Sequence, residues 1–485
     1  MNIPRCMSTQ HPDNVNAPFF STGTEISGEE EIFEAYYSFS HLACDEQMWD
    51  YEGKENDNYV IKKLITKYPS YFNEKRLGRD VFITYRVPNP TVEKGEAKLL
   101  LETLASIPRS FDASNMVYKD DITPIFEVIL PMTTSSKCLN RVYHYYKNFI
   151  VGLENHPFME GDITIAEWIG KFLPNKINVI PLIEDMASMS KVDLILKEYL
   201  SDKKVESQRI FLARSDPAMN YGLISAVLIN KIALQRIYKL SQEINIDIYP
   251  IVGVGSVPFR GNLRPETVKR VANEYPYTHT FTIQSAFKYD NSPEDVINAI
   301  KFLRQRKRTK PREVDEVKCF EIMNKYSNEY AKQINNLAPI INKIAESVPS
   351  RRKRKLHIGL FGYSRNFGDF SLPRAIGFTA ALYSIGVPPE ILGLNILTDN
   401  DFDLIRKIYI NFDEDLKDAV KFLNPKCEYI PDGILKRLKD LSIDIPQDEI
   451  HKRNSDLVIE SVKKNNFIHI SEYILSAANQ RKFLG

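Results

Sequence analysis

The sequence predicts an α/β chain built on a closed (β/α)8 TIM-type barrel, with an additional helical C-terminal region. Three observations predict it. Short apolar, β-branched runs alternate with longer segments of helical periodicity. That alternation implies parallel strands joined by right-handed crossovers. Eight such units close a barrel rather than leave an open sheet. A length of 485 residues and a hydrophobic content of 43% supply a core of that size.

In chain order, residues 1–28 are polar and carry Pro12 and Pro18, so composition assigns them to a loop. Eight strand candidates follow, at 44–49, 81–87, 125–131, 178–183, 210–214, 248–254, 279–283 and 356–362. Helical periodicity falls between most of them, at 97–106 (Leu99, Leu100, Leu104), 138–151, 192–200, 223–240 and 296–303. A long amphipathic stretch at 321–347 precedes the last strand candidate. Residues 373–485 carry apolar stripes near 374–386, 400–409, 413–423, 446–463 and 471–478, broken at Pro388-Pro389 and Asn424-Pro425. The expected division is a loop at 1–28 that contributes to the active site, a barrel at 29–372, and a helical region at 373–485 packed on the barrel.

The totals narrow the function classes. Charged residues are 26% of the chain but nearly cancel, at net +1, which argues against a nucleic-acid-binding surface over the whole protein. The five cysteines are dispersed with no CxxC spacing, as in a reducing compartment, and offer neither a disulfide frame nor a thiolate zinc site. No stretch approaches the ~20 apolar residues that span a bilayer, and the first residues lack the apolar core of a signal peptide. A soluble cytoplasmic protein without a membrane partner is expected. The basic run Arg351-Arg352-Lys353-Arg354-Lys355 reads as a solvated or subunit-contacting turn, since it lacks interleaved aromatics.

Barrel enzymes place their chemistry at the C-terminal ends of the strands. Here those ends carry Asp50 and Glu52, Arg86, Glu127 within its strand, Glu184-Asp185, Arg214-Ser215-Asp216, Gln284-Ser285, and Tyr363-Ser364-Arg365 with Arg374 beyond. The strand at 248–254 runs into a loop with Gly253, Gly255, Gly261 and Arg260. Glycines let backbone approach a ligand, and a fixed guanidinium suits an anion. Pro258 excludes a dinucleotide fingerprint, and Phe259-Arg260-Gly261 excludes a P-loop. Hard carboxylate ligands without a histidine or thiolate cluster favour Mg2+ or Mn2+. Glu184 and Asp216 lie on adjacent strand candidates and could share one ion. A metal with several arginines suits a phosphorylated carboxylic acid. Any one of these charges is readily a structural ion pair; such pairs have no reason to gather at one rim.

Over its whole length the chain resembles the archaeal-type phosphoenolpyruvate carboxylases. The resemblance is carried by Met7-Ser-Thr-Gln-His-Pro-Asp-Asn14, Met48-Trp-Asp-Tyr-Glu-Gly-Lys54, Arg86-Val-Pro-Asn-Pro90, Glu127-Val-Ile-Leu-Pro-Met132, Ala213-Arg-Ser-Asp-Pro-Ala218 and the glycine-rich loop. It implies carboxylation of phosphoenolpyruvate by bicarbonate to oxaloacetate and phosphate, through carboxyphosphate and the enolate of pyruvate, with Mg2+ or Mn2+ and a homotetramer. By similarity to the more distant bacterial and plant enzymes, His11 matches the catalytic histidine, the base that helps carboxyphosphate decompose. Glu184 and Asp216 match the metal ligands. Arg260 matches the arginine holding phosphate and carboxyphosphate charge, and Arg86, Arg365 and Arg374 match further arginines around phosphate and bicarbonate. Gly253 and Gly255 belong to the substrate-binding loop. The chain departs from those enzymes at Met219, where they carry a lysine, and at Val252-Gly253-Val254, where they carry a His-Gly-Arg segment. Aspartate-type inhibition is therefore not implied. The competing reading is another Mg2+-dependent barrel lyase of the citrate-lyase-like type, which has less use for several phosphate-reading arginines.

Overall fold

The computed structural model describes residues 3–355, 366–367 and 370–485. Its centre is a closed parallel barrel of eight strands: β1 (Cys6–Ser8), β2 (Glu46–Asp50), β3 (Phe82–Arg86), β4 (Glu127–Leu130), β5 (Asn178–Ile183), β6 (Ser207–Ala213), β7 (Asp247–Gly253) and β8 (Thr280–Ile283). The strands run in sequence order around the ring, and β1 closes it by pairing with both β2 and β8. Their side chains are almost all buried, as expected of strands enclosed by helices on one side and barrel core on the other.

The fold class therefore stands, but the strand count begins one strand earlier than the sequence suggests. Residues 6–8, inside the segment assigned to loop, are the first strand. The candidate at 44–49 is the second, so the loop carrying Arg260 follows the seventh strand rather than the sixth. The candidate at 356–362 lies outside the described residues, and the ring is complete among the described residues without it.

Helices surround the ring where periodicity places them. Val192–Leu200 matches its predicted bounds, Leu223–Ile244 and Pro293–Gln305 extend theirs by a few residues, and Glu316–Ala345 starts five residues before and ends two residues before the predicted 321–347. Leu99–Tyr118 is much longer than expected. In the C-terminal region Ala375–Ser384, Asp399–Ile408, Phe412–Val420, Glu449–Lys463 and Ile470–Arg481 form as predicted, and Ile434–Asp440 is added. Apolar side chains of this region, among them Phe378, Leu382, Phe402 and Leu416, share one continuous core with β6, β7 and the barrel helices. Among the described residues no single helix is long and apolar enough to cross a membrane.

The barrel interior holds a buried ionic cluster below the rim. Arg209 donates to both oxygens of Glu46, at 2.8 and 2.7 Å, and to Glu127 at 3.1 Å. Breaking such a cluster by removing one charge leaves the others unpaired, which is why it fixes the ring. Glu127, grouped above with the rim carboxylates, opens β4 and belongs to this structural cluster.

Candidate active site

The C-terminal ends of the strands open into one pocket. Its lining includes His11, Arg86, Glu184, Asp216, Gly253, Arg260 and Arg374. Six of the predicted charged or titratable site residues thus converge. Arg365 lies outside the described residues.

His11 is carried by the loop after β1, which the bond from the Thr9 N–H to the Ile283 carbonyl ties to β8 (3.0 Å). Its Nδ1 bonds Thr9 Oγ1 at 2.8 Å. Burial, then Arg86, Arg260, Arg374 and Arg352, push its pKa well below the ordinary histidine value. The imidazole is therefore neutral at neutral pH and can accept a proton.

Arg86 ends β3. Its Nε donates to Asp50 Oδ1 at 2.8 Å, its Nη2 bonds Asp50 Oδ2, and its Nη1 pairs with Glu52 at 3.2 Å. Burial opposes its charge, but Asp50 and Glu52 outweigh burial and hold its pKa above the ordinary value.

Glu184 follows β5, and its Oε2 accepts the Met132 N–H at 2.6 Å. Asp216 lies in the first turn of the helix Ser215–Tyr221, directly after β6. Burial, then the charges of Asp216 and Glu52, push Glu184 up to about 8. Glu52 is raised as well, by burial first. Acidic groups crowded together in this way are a favourable setting for a divalent cation. Among the described residues no group of three or more such side chains forms a complete metal cage. Two carboxylates with the other positions left to water and substrate is the usual arrangement for Mg2+, so the residues present fit the ion.

Arg260 is almost wholly buried. Its Nε donates to Ser215 Oγ at 3.0 Å and its Nη2 to Gln284 Oε1 at 2.7 Å; its Nη1 lies 3.5 Å from Asp13. Burial pulls its pKa down, and Asp13 and Asp216 only partly compensate. Two glycines make room. A Cβ on Gly253 would sit 2.8 Å from the Phe211 ring, and one on Gly255 would sit 3.0 Å from Arg260 Cζ. Gly253 lines the pocket, whereas Gly255 does not and instead packs against the Arg260 guanidinium.

The structure also brings in residues the sequence did not single out. Gln10 and Lys54 line the pocket, and Asp13 contacts Arg260. The basic run is not a solvated turn. Arg351 donates to the Asn14 and Val15 carbonyls at 3.1 and 2.7 Å, and buried Arg352 pairs with Glu34 at 2.6 Å and Glu31 at 3.3 Å. Arg352, Lys353 and Arg354 face the pocket. Burial, then Arg374, lowers Arg354 to about 10.

A family model described as phosphoenolpyruvate carboxylase matches residues 3–485. The chain belongs to the archaeal-type phosphoenolpyruvate carboxylase family. It is 54% identical over 485 residues to a phosphoenolpyruvate carboxylase of Methanospirillum hungatei, and 53% identical over 485 residues to one of Methanothermobacter thermautotrophicus, with all of both chains covered in each case. Among solved structures, the Haloferax volcanii malate synthase pyruvate/acetyl-CoA ternary complex shares 10% identity over 91% of this chain and 99% of that one, at a TM-score of 0.41, too distant to inform the site. The chain is accordingly an enzyme that carboxylates phosphoenolpyruvate with bicarbonate, and a citrate-lyase-like reaction is not favoured.

Proposed function

We propose that His11, Arg86, Glu184, Asp216, Arg260 and Arg374 are the residues that carry the phosphoenolpyruvate carboxylase reaction in this chain. The observation that supports this most is a neutral imidazole set among four arginines in the pocket that also holds the carboxylate pair. Glu184 and Asp216 would hold Mg2+ or Mn2+, whose charge would offset that of the enolate. A bicarbonate oxygen attacks phosphorus and the bond to the enol oxygen breaks, giving carboxyphosphate and the enolate of pyruvate. Arg260, whose burial Asp13 and Asp216 only partly offset, holds the phosphoryl charge through this transfer. Arg86, fixed by Asp50 and Glu52, and Arg374 at the pocket wall orient the anions. Arg365, by its position in the sequence, joins them. With Nδ1 donating to Thr9, His11 Nε2 takes the carboxyl proton of carboxyphosphate. Its C–O bond to phosphate then breaks, releasing carbon dioxide to the enolate carbon.

Oxaloacetate formation, coupled to malate dehydrogenase, should require phosphoenolpyruvate, a divalent cation and bicarbonate together. His11→Asn should abolish oxaloacetate while bicarbonate-dependent pyruvate and phosphate release persists, because the first step does not use the imidazole. Full oxaloacetate formation by that variant would remove His11 from its role. Asp216→Asn should weaken Mn2+ binding followed by electron paramagnetic resonance; unchanged Mn2+ affinity would take Asp216 out of the ligand set.

A homotetramer and a cytoplasmic setting complete the reading. Between β4 and β5 the chain exposes Phe149, Met159, Trp168 and Ile169, a run of large apolar side chains suited to burial against other copies. All five cysteines are free, as suits a reducing compartment. Sedimentation equilibrium tests the tetramer.

A further inference from the structure

The loop that presents Arg260 turns through a 3-10 segment, Pro258–Arg260, and then two left-handed residues, Gly261 at φ 119° and Asn262 at φ 57°. A non-glycine residue in that region stores strain, so the loop needs outside support to hold its shape. The support comes from the helical C-terminal region. Glu390, in the turn Pro389–Ile391, is fully buried, and its Oε1 accepts the Phe259 N–H at 2.6 Å. The same oxygen accepts the Tyr383 hydroxyl at 2.7 Å. On the other side of the residue, Arg214 Nη1 donates to the Phe259 carbonyl at 3.3 Å. Three residues along, Asn262 Nδ2 donates to Asp415 at 2.8 Å and Asp418 at 3.1 Å. Both backbone polar groups of the residue preceding Arg260 are therefore fixed by buried side chains, Glu390 on the N–H and Arg214 on the carbonyl. Burial pushes the Glu390 carboxyl up to about 7, and a carboxyl group at this depth is a costly way to hold one backbone N–H and one hydroxyl.

We infer that Glu390 is a positioning residue for the carboxylation reaction: it clamps the Phe259 backbone and so sets where Arg260 presents its guanidinium. This rests on Arg260 as the arginine that holds phosphoryl charge. Neither Glu390 nor Tyr383 touches the pocket, so their effect on turnover must pass through the loop.

Glu390→Leu keeps the bulk and removes the acceptor. It should lower kcat/KM for phosphoenolpyruvate by about 10- to 100-fold, as small displacements of a positioned group do. Glu390→Gln, whose single carbonyl oxygen can serve both donors, should recover most of that loss. In an Arg260→Ala background Glu390→Leu should cost the residual activity less than twofold, because the two changes remove one effect. If Glu390→Leu does not fold, Tyr383→Phe is measured in its place, with an expected loss of several-fold that likewise disappears in the Arg260→Ala background. A loss of stability with kcat/KM unchanged, or a loss that multiplies undiminished with Arg260→Ala, would overturn the inference. Arg260→Ala with full activity would instead sink the underlying site reading, so the two failures are distinct.

Discussion

Arg86 and Arg260 line the same pocket and are treated in opposite ways. Arg86 is gripped by Asp50 and Glu52, and its positive charge is matched before any substrate arrives. Arg260 is as deeply buried, yet it donates to the neutral Ser215 and Gln284, Asp13 stands 3.5 Å away, and Asp13 and Asp216 only partly offset its burial. One arginine is a fixed post whose field is largely cancelled; the other is a buried charge that an anion would complete. The cations of the pocket are therefore not equally available to an anion, since part of their charge is already committed.

Substitutions at either arginine or in its surroundings test this difference in charge. The largest effect is expected from Arg260→Ala, which should cost kcat about 100- to 1000-fold, as loss of a group facing transition-state charge does. Steady-state kinetics at saturating bicarbonate measures it, and a loss confined to KM would make Arg260 an ordinary binding group. Asp50→Asn should act in the other direction on affinity. It leaves Arg86 less neutralised, so inhibition by inorganic phosphate should tighten several-fold, while kcat falls about tenfold because the guanidinium loses its bidentate clamp. Unchanged phosphate inhibition would show that Arg86 is not held in check by Asp50.

The smallest effect concerns carboxylates, where the same contrast recurs. Glu34 is buried, but Arg352 and Lys288 outweigh burial and keep its pKa below the ordinary value. Asp290 accepts the Val15 and Asn16 N–H groups, and burial pushes it up to about 7. Its folded pKa lies above its unfolded one, so its contribution is present below the unfolded value and is lost as pH rises from about 4 to about 7. Asp290→Asn removes that dependence. Relative to the parent, the variant should gain about 1 kcal/mol or more between pH 5 and pH 8 in denaturant unfolding. A constant difference across that range would show that Asp290 does not hold a proton in the folded state.

Much of this was legible in the sequence, and the gaps have physical causes. Strands β2 to β8 show as apolar runs because parallel barrel strands are buried on both faces. Strand β1 is three residues, Cys-Met-Ser, flanked by prolines and polar groups, and no periodicity can show in so short a piece. Arg86, Glu184, Asp216 and Arg260 could be found because an apolar strand that ends in a charge marks the rim. Glu127 has the same residue type and inward direction, but it opens its strand instead of closing it; the pattern gives direction and not depth. The run at 351–355 looked solvated because five cations in sequence usually are. Glu31 and Glu34, more than three hundred residues earlier, are what allow Arg352 to be buried. Glu390 carried no signal, since its link to the Arg260 loop is a bond to the Phe259 backbone N–H, which leaves no trace in side-chain spacing.

The three-residue strand β1 also sets an order of assembly. It is made long before β8, yet its register depends on Phe281, Thr282 and Ile283. Until those residues exist, the ring stays open at that seam, and the segment three residues on, which carries His11, lacks its tie to Ile283. A chain with most of its strands paired would therefore display Arg86, Glu184 and Asp216 before His11 is fixed from the β8 side. Long-range closures of this kind are slow steps in folding. During renaturation, recovery of helical signal should run ahead of recovery of turnover, because catalysis begins only when the last seam is sewn.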